Sequence, residues 1–333
     1  MILVTGGTGL VGSHLLVQLC KQNLKVRAVY RDKKSILKAK HIFELYNCSE
    51  LFIQIDWFLA DITDVPQMIE AYKGIKQVYH CAAFISFNPK DYREMRKINI
   101  HGTAIMVNLA IDAKVDKFCF VSSIAAIGDA INNDLIDEEC DWNKQIDNSG
   151  YSITKFGAEM EVWRLSQEGV DVVVVNPGVI LGAGFWDSGS GKLFSQVDKG
   201  FKFYTKGVTG FVSVKDVVSC MMSLMQSNIK NERFILVSEN KTYEEIFNLI
   251  ADVLGKKRPS IQIKKWQMSI FWRVTTLVSK FTGREPLISK YAAKSATTIS
   301  KYNNLKIKEA LNFEYESVAK SIEEVGKSYL NNH

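Results

Sequence analysis

A phenol that passes a proton to or from a carbonyl oxygen needs a neighbour that steadies its anion. Tyrosine followed four residues later by lysine supplies both groups on one helix face. Free tyrosine titrates near ~10, and an adjacent ammonium brings that value toward working pH. The spacing occurs four times, at Tyr30/Lys34, Tyr72/Lys76, Tyr151/Lys155 and Tyr302/Lys306. Position separates them. Tyr30 leads out of a strand into a turn, Tyr72 precedes the turn at Gly74, and Tyr302 lies in the terminal helical region. Only Tyr151/Lys155 opens a well-formed helix, just after Gly150 and downstream of a strand that ends in Ser122-Ser123. From that strand end Ser123 could donate a hydrogen bond to a substrate oxygen while Tyr151 transfers the proton, since open α/β sheets hold their ligands at strand ends. Taken alone, the two serines are ordinary turn residues.

A second constellation is Val4-Thr5-Gly6-Gly7-Thr8-Gly9-Leu10-Val11-Gly12, which joins the first strand to the first helix. Gly6, Gly9 and Gly12 fit G-x-x-G-x-x-G, and Gly7, Gly9 and Gly12 fit G-x-G-x-x-G. Without Cβ atoms the chain turns sharply and its backbone can approach a pyrophosphate, which the free N–H groups of the next helix then receive. The strand before and the helix after are the context that separates this pattern from a simple tight turn. The second strand, Val26-Arg27-Ala28-Val29-Tyr30, runs into Arg31-Asp32-Lys33-Lys34. An arginine at this tip pairs with a 2′-phosphate, whereas an acid binds the ribose diol. Arg31 favours NADP(H). Asp32, 20 residues after Gly12, keeps NAD(H) as the alternative. Lys33 and Lys34 read equally well as a solvated turn.

The elements that must position these groups alternate. Ile2–Thr5, Lys25–Tyr30, Lys76–Cys81, Lys117–Val121 and Val170–Asn176 read as strands; the unbroken valines 172–175 mark one covered on both faces. Leu10–Lys21, Val65–Tyr72, Asp91–Ala113 and Tyr151–Gln167 read as helices. The alternation predicts an α/β, Rossmann-type doubly wound parallel sheet with right-handed crossovers. After Pro177-Gly178 the pattern changes. Gly182–Gly210 reads as a long irregular loop or lid, Val214–Met225 as a helix and Arg233–Val237 as a strand, with the remainder mainly helical. The division that follows is a dinucleotide-binding domain over 1–178, with 208–240 returning to it, and a smaller, mainly helical substrate lobe from 179–207 and 241–333.

Composition narrows the class. The 333 residues are 47% hydrophobic and 23% charged, the balance of a globular chain. A net charge of +6 with basic residues along the whole length argues against nucleic-acid binding. Six cysteines without a C-x-x-C pair and five scattered histidines predict reduced thiols and no metal site. A strand begins at Ile2 and no run of about 18 apolar residues occurs, so a cytoplasmic protein without signal peptide or membrane span is expected.

These motifs together resemble the extended short-chain dehydrogenase/reductase family, whose members are NAD-dependent epimerase/dehydratase-like. The similarity rests on Thr5–Gly12, Ala60-Asp61-Ile62, Val78-Tyr79-His80-Cys81-Ala82-Ala83, Asn99, Val121-Ser122-Ser123, Tyr151-x-x-x-Lys155 and Asn176-Pro177-Gly178. It covers about residues 1–220 in the family's order. The resemblance implies that Ser123, Tyr151 and Lys155 are catalytic and that Asn99 steadies the active-site helix and a water. It implies that Gly6, Thr8, Gly9, Leu10, Val11, Gly12, Arg31, Asp61, Ile62, Ala82, Ala83, Ser122, Tyr151, Lys155, Pro177 and Val179 contact the cofactor. Residues 26–32 are similar to the dihydroflavonol 4-reductase and 3β-hydroxysteroid dehydrogenase-like branch. Tyr30 at the second strand tip, Asn176 in place of an arginine, Ser213-Val214-Lys215-Asp216, and no Thr-Asp-Glu set after Ser123 all depart from nucleotide-sugar epimerases and dehydratases. The implied activity is an NADP(H)-dependent interconversion of a carbonyl and a secondary alcohol. A nucleotide-sugar epimerase that retains NAD, and a dinucleotide sensor without chemistry, are the alternatives.

Phe84, Ile85, Phe87, Phe185 and Trp186 could line an apolar pocket for a hydrophobic or ring-bearing small molecule; core packing is the competing reading. Trp266, Ile270, Val274, Leu277 and Phe281, widened by Phe271 and Val278, recur at helical spacing. Core packing is again the first reading, ahead of a cover for the substrate cavity or an interfacial membrane contact edged by Arg273 and Lys280. A homodimer is the assembly considered.

Overall fold

Short β-branched runs and the amphipathic segments between them close into one parallel sheet. A computed structural model describes residues 1–130, 135–145, 147–282 and 288–332, with the backbone alone at 280–282. The strands are β1 Ile2–Thr5, β2 Val26–Tyr30, β3 Asp56–Leu59, β4 Gln77–His80, β5 Lys117–Val121, β6 Asp171–Pro177, β7 Val179–Leu181, β8 Phe203–Tyr204, β9 Val208–Ser213, β10 Glu232–Leu236, β11 Glu239–Thr242 and β12 Ile261–Gln262. Seven of them form the main sheet in the order β10-β6-β5-β4-β1-β2-β3, every neighbouring pair parallel. This is the Rossmann-type α/β fold that the alternation predicts.

Helices cover both faces. On one, Leu15, Leu16 and Leu19 of helix Leu10–Lys21 meet Val217 and Met221 of helix Val214–Gln226. On the other, Met106, Val107 and Ala110 meet Ala158, Val162 and Leu165 of helix Gly150–Gln167. Val172–Val175 lie between the layers without exposure, each contributing about 1.5–3 kcal/mol of apolar burial. A separate apolar core gathers Leu181, Phe194, Phe211, Ile246, Ile250, Val318 and Ile322.

Several readings change. Gly182–Gly210 is not irregular: it holds helix Gly191–Asp198, β8 and the start of β9. Phe194 and Val197 on one helix face fill the separate core, a signal masked by four nearby glycines. β9 pairs in parallel with β7 and antiparallel with β11, forming a small second sheet. Lys33 and Lys34 do not lie in a turn; they open helix Lys33–Leu45, which buries Ala39, Ile42 and Phe43. Within the stretch 91–113 a seven-residue π-helical segment, Arg96–Gly102, precedes helix Thr103–Asp112.

The stripe on helix Lys265–Thr282 is not core. That helix buries Met268 and Thr275, whereas Trp266, Ile270, Phe271, Val274 and Leu277 are exposed. Periodicity shows which side chains share a face, not whether a neighbour covers it. The side chains of Lys280 and Phe281 lie outside the described residues. Among the described residues no helix is long and apolar enough to cross a membrane.

Candidate active site

The chain leaves β1 toward β2 on one side and returns through β4 on the other, which opens a crevice above the carboxyl ends of these strands. The glycine turn lies there. Gly6 has φ +68°, and a Cβ on it would stand 2.7 Å from the Ala82 amide nitrogen; one on Gly12 would stand 2.2 Å from the Gly6 carbonyl oxygen. The turn therefore packs directly on the end of β4 and on its own helix. Gly9 N–H donates to the Gly6 carbonyl at 2.9 Å. Helix Leu10–Lys21 starts at Gly9 without a side-chain cap, so the N–H groups of Leu10, Val11 and Gly12 are offered to an anion. Below the turn, His80 bonds Thr5 Oγ1 at 2.6 Å and Thr103 Oγ1 at 3.0 Å. Burial, aided by the charge of Lys155, lowers His80 to about 3 and keeps it neutral.

At the tip of β2 the Arg31 guanidinium lies 3.6 Å from the Asp61 carboxylate, and 60% of its side chain is exposed. Asp61 also accepts from the Thr63 N–H and hydroxyl, both at 2.8 Å. Burial would raise its pKa, but Thr63 and then Arg31 outweigh it and hold the carboxyl below its usual range. Thr8 lies in the turn, and Ile62, next to Asp61, is buried. Asp32 is committed elsewhere: its carboxylate accepts from Lys34 N–H at 3.0 Å and caps the next helix. Among the described residues Arg31, by contrast, bonds no backbone group and is paired only with Asp61.

Ser122 and Ser123 follow β5, while helix Gly150–Gln167 begins at an N-cap, Ser149, that accepts from Ser152 N–H at 3.0 Å. This brings Tyr151 toward Ser123, whose hydroxyl accepts from Ala125 N–H at 3.1 Å and is the group that opposes the upward shift of the phenol. Lys155, one turn on, donates to the Val121 carbonyl at 2.6 Å and lies 4.9 Å from the Phe120 ring centroid. The expected depression of the phenol is not found. Burial raises Tyr151 above the ordinary tyrosine value, with only the Ser123 hydroxyl opposing, because the Lys155 ammonium is turned toward Val121. Burial lowers Lys155 to about 8, with the charge of Glu159 opposing.

Asn99 sits in the π-helical segment, an irregularity that often marks functional positions. Its amide donates to the Phe84 carbonyl at 2.9 Å and Thr154 Oγ1 at 3.1 Å, and its oxygen accepts from Phe84 N–H at 2.7 Å. It thereby ties the segment after β4 to the tyrosine helix. Half-buried Ala82 and Ala83 precede Phe84 in that segment.

Glu159 was not legible as a site residue. It is fully buried, one turn beyond Lys155. Ser122 donates to it at 2.5 Å, Asn176 at 2.9 Å, and Trp163 and Arg233 at 3.3 Å each. Asn176 also donates to the Ser123 carbonyl at 3.0 Å. The carboxylate thus fixes the serine strand end, β6 and β10 beneath the site. The available signal was an acid four residues after Lys155 on the same buried face.

The apolar candidates separate. The Phe87 ring lies 5.9 Å from that of Tyr151, whereas Phe84 packs partly into the main core. Trp186 stacks edge-on at 5.1 Å against Tyr329 and at 6.2 Å against Phe194, in the separate core. Pro177 ends β6 and half-buried Val179 starts β7, both at the carboxyl edge of the main sheet. Among the described residues no group of three or more His, Cys, Asp or Glu could hold a metal.

The glycine cradle, the uncapped helix start and the exposed guanidinium fit a nicotinamide dinucleotide. Residues 2–237 match the model of the NAD dependent epimerase/dehydratase family. The chain is 28% identical over 267 residues to sterol demethylase protein B of Methylococcus capsulatus, covering 78% of this chain and 76% of the relative. It is 25% identical over 327 residues to a putative dihydroflavonol 4-reductase of Synechocystis, covering 96% and 91%. The crystal structure of UDP-glucose 4-epimerase from Thermotoga maritima superposes with a TM-score of 0.79 at 20% identity, covering 99% of both chains, a likeness of fold.

Proposed function

This chain belongs to the NAD-dependent epimerase/dehydratase family, and from that premise we propose an NADP(H)-dependent reductase that interconverts a carbonyl and a secondary alcohol on a hydrophobic or ring-bearing small molecule. The observation that carries the reading is the placement of Tyr151 at the start of its helix, next to Ser123 at the end of β5 and 5.9 Å from the Phe87 ring. It puts a proton donor, a hydroxyl and an apolar surface in one place. Names of similar proteins that refer to sterol demethylation and dihydroflavonol reduction support a ring-bearing substrate.

When bound, a reduced nicotinamide supplies the hydride for the carbonyl carbon. Tyr151, held protonated at neutral pH, gives its proton to the carbonyl oxygen. Ser123 donates to the same oxygen and orients it. Lys155, held at the Val121 carbonyl before cofactor binds, supplies a positive charge to the nicotinamide ribose and, on leaving that carbonyl, to the resulting phenolate. Asn99 holds Phe84 and the tyrosine helix in register, and Arg31 receives the 2′-phosphate. Residues 1–178 with 208–240 hold the cofactor; 179–207 and 241–333 hold the substrate.

The test is to titrate the purified protein with NADPH and NADH, then follow loss of the reduced-nicotinamide absorbance with ketones and aldehydes. Tighter NADPH binding and net oxidation by a carbonyl compound are expected. Tightly retained NAD with no net absorbance change during turnover would instead identify an epimerase.

A further inference from the structure

The basic residues are less evenly spread than the whole-chain charge suggests. Between Asp252 and Glu285 the sequence holds eight lysines and arginines and no acid, against a net charge of +6 for the entire chain. This segment includes helix Lys265–Thr282, whose exposed side is apolar. Trp266 is 62% exposed, Ile270 54%, Val274 51% and Leu277 56%, with Phe271 beside them. At 100° per residue Trp266, Ile270, Val274 and Leu277 fall within one quarter of the helix circumference, and Arg273 lies at the edge of that arc. Lys256 and Arg258 are neutralised by Asp198 and Asp252. Among the described residues no ion pair engages Lys264, Lys265 or Arg273.

We propose that helix Lys265–Thr282 is an in-plane anchor that binds the surface of an anionic membrane, its apolar side entering the headgroup boundary and Lys264, Lys265 and Arg273 meeting the lipid charges. An exposed apolar stripe flanked by cations that have no ion pair among the described residues, in a stretch of sequence without an acid from 253 to 284, is the pattern that recognises such a surface. A second copy of the chain would bring its own cations against this cationic stretch, so charge favours the lipid. The anchor is also tied to the segment that leads into the tyrosine helix. Thr275 bonds the Ile288 carbonyl, and Lys290 and Tyr291 of the next helix bind Asp147, four residues before Tyr151. The inference does not depend on the reaction proposed above.

The test is sedimentation of the full chain with phosphatidylcholine vesicles and with vesicles containing about one-third phosphatidylserine. The wild type is expected to pellet with the anionic vesicles and to be released by salt. Two variants on exposed positions follow, I270E/L277E and K264Q/K265Q/R273Q, their folding checked by circular dichroism and thermal melting. Each is expected to weaken vesicle binding by about tenfold or more. Equal binding to neutral vesicles, absence of binding, or full binding by I270E/L277E would overturn the proposal. So would a dimer that fails to bind vesicles and is split by I270E/L277E, which would make the face a contact between copies.

Discussion

The Lys155 ammonium donates to the Val121 carbonyl at 2.6 Å, directly below the strand end that carries Ser122 and Ser123. Burial there brings its pKa down to about 8, from an ordinary value of 10.5. The residue is charged below about 8 and neutral above it. If that charge supports proton transfer by Tyr151, reductive turnover at saturating cofactor is level near neutrality and falls as pH rises through about 8. The measurement is kcat against pH; a rate that climbs across this range contradicts the role of Lys155.

Glu159 opposes that depression, since its carboxylate favours the charged lysine. E159Q keeps the shape of the side chain and one acceptor oxygen but removes the charge. The alkaline fall in turnover is therefore expected at lower pH in E159Q than in the wild type, with KM little changed. A purely structural carboxylate would leave the profile unmoved.

E159L removes the common acceptor of Ser122, Asn176, Trp163 and Arg233. Leaving these donors buried beside an unpaired guanidinium is expected to cost about 3–5 kcal/mol, with E159Q losing less. Urea unfolding midpoints at constant slope measure the difference. A midpoint in E159L equal to that of the wild type would show that the network contributes nothing to stability.

How much of this was readable beforehand follows from distance along the chain. The glycine turn, its strand and its helix are contiguous, and Tyr151/Lys155 are one turn apart, so local patterns suffice. The acceptor role of Glu159 depends on Ser122, Asn176 and Arg233, which lie 37, 17 and 74 residues away, and no spacing rule joins them. Helix Lys33–Leu45 was readable in principle: Asp32 caps it, and Ala39, Ile42 and Phe43 follow helical spacing. Lys33 and Lys34 at its start are charged and carry no apolar signal, so the first turn looks like a solvated turn. β7 has three residues and takes its place only by pairing with β9, about 30 residues later, so strand propensity alone has little to register.

Arg31 is exposed beside Asp61 while Asp32 caps a helix. R31A is expected to weaken NADPH binding by about 10–100-fold, the worth of a charge-assisted hydrogen bond of about 1.5–3 kcal/mol. NADH binding should change little, since that cofactor lacks the 2′-phosphate. Fluorescence titration with both dinucleotides decides it; equal losses for the two would mean that Arg31 does not read the phosphate.

The most direct measurement is Y151F, assayed for NADPH affinity and for turnover of any carbonyl compound that the wild type reduces. The predicted result is an affinity within about twofold of wild type and turnover lower by about 10²–10⁴-fold, because only the transferable proton is removed. Undiminished turnover in Y151F would contradict the account.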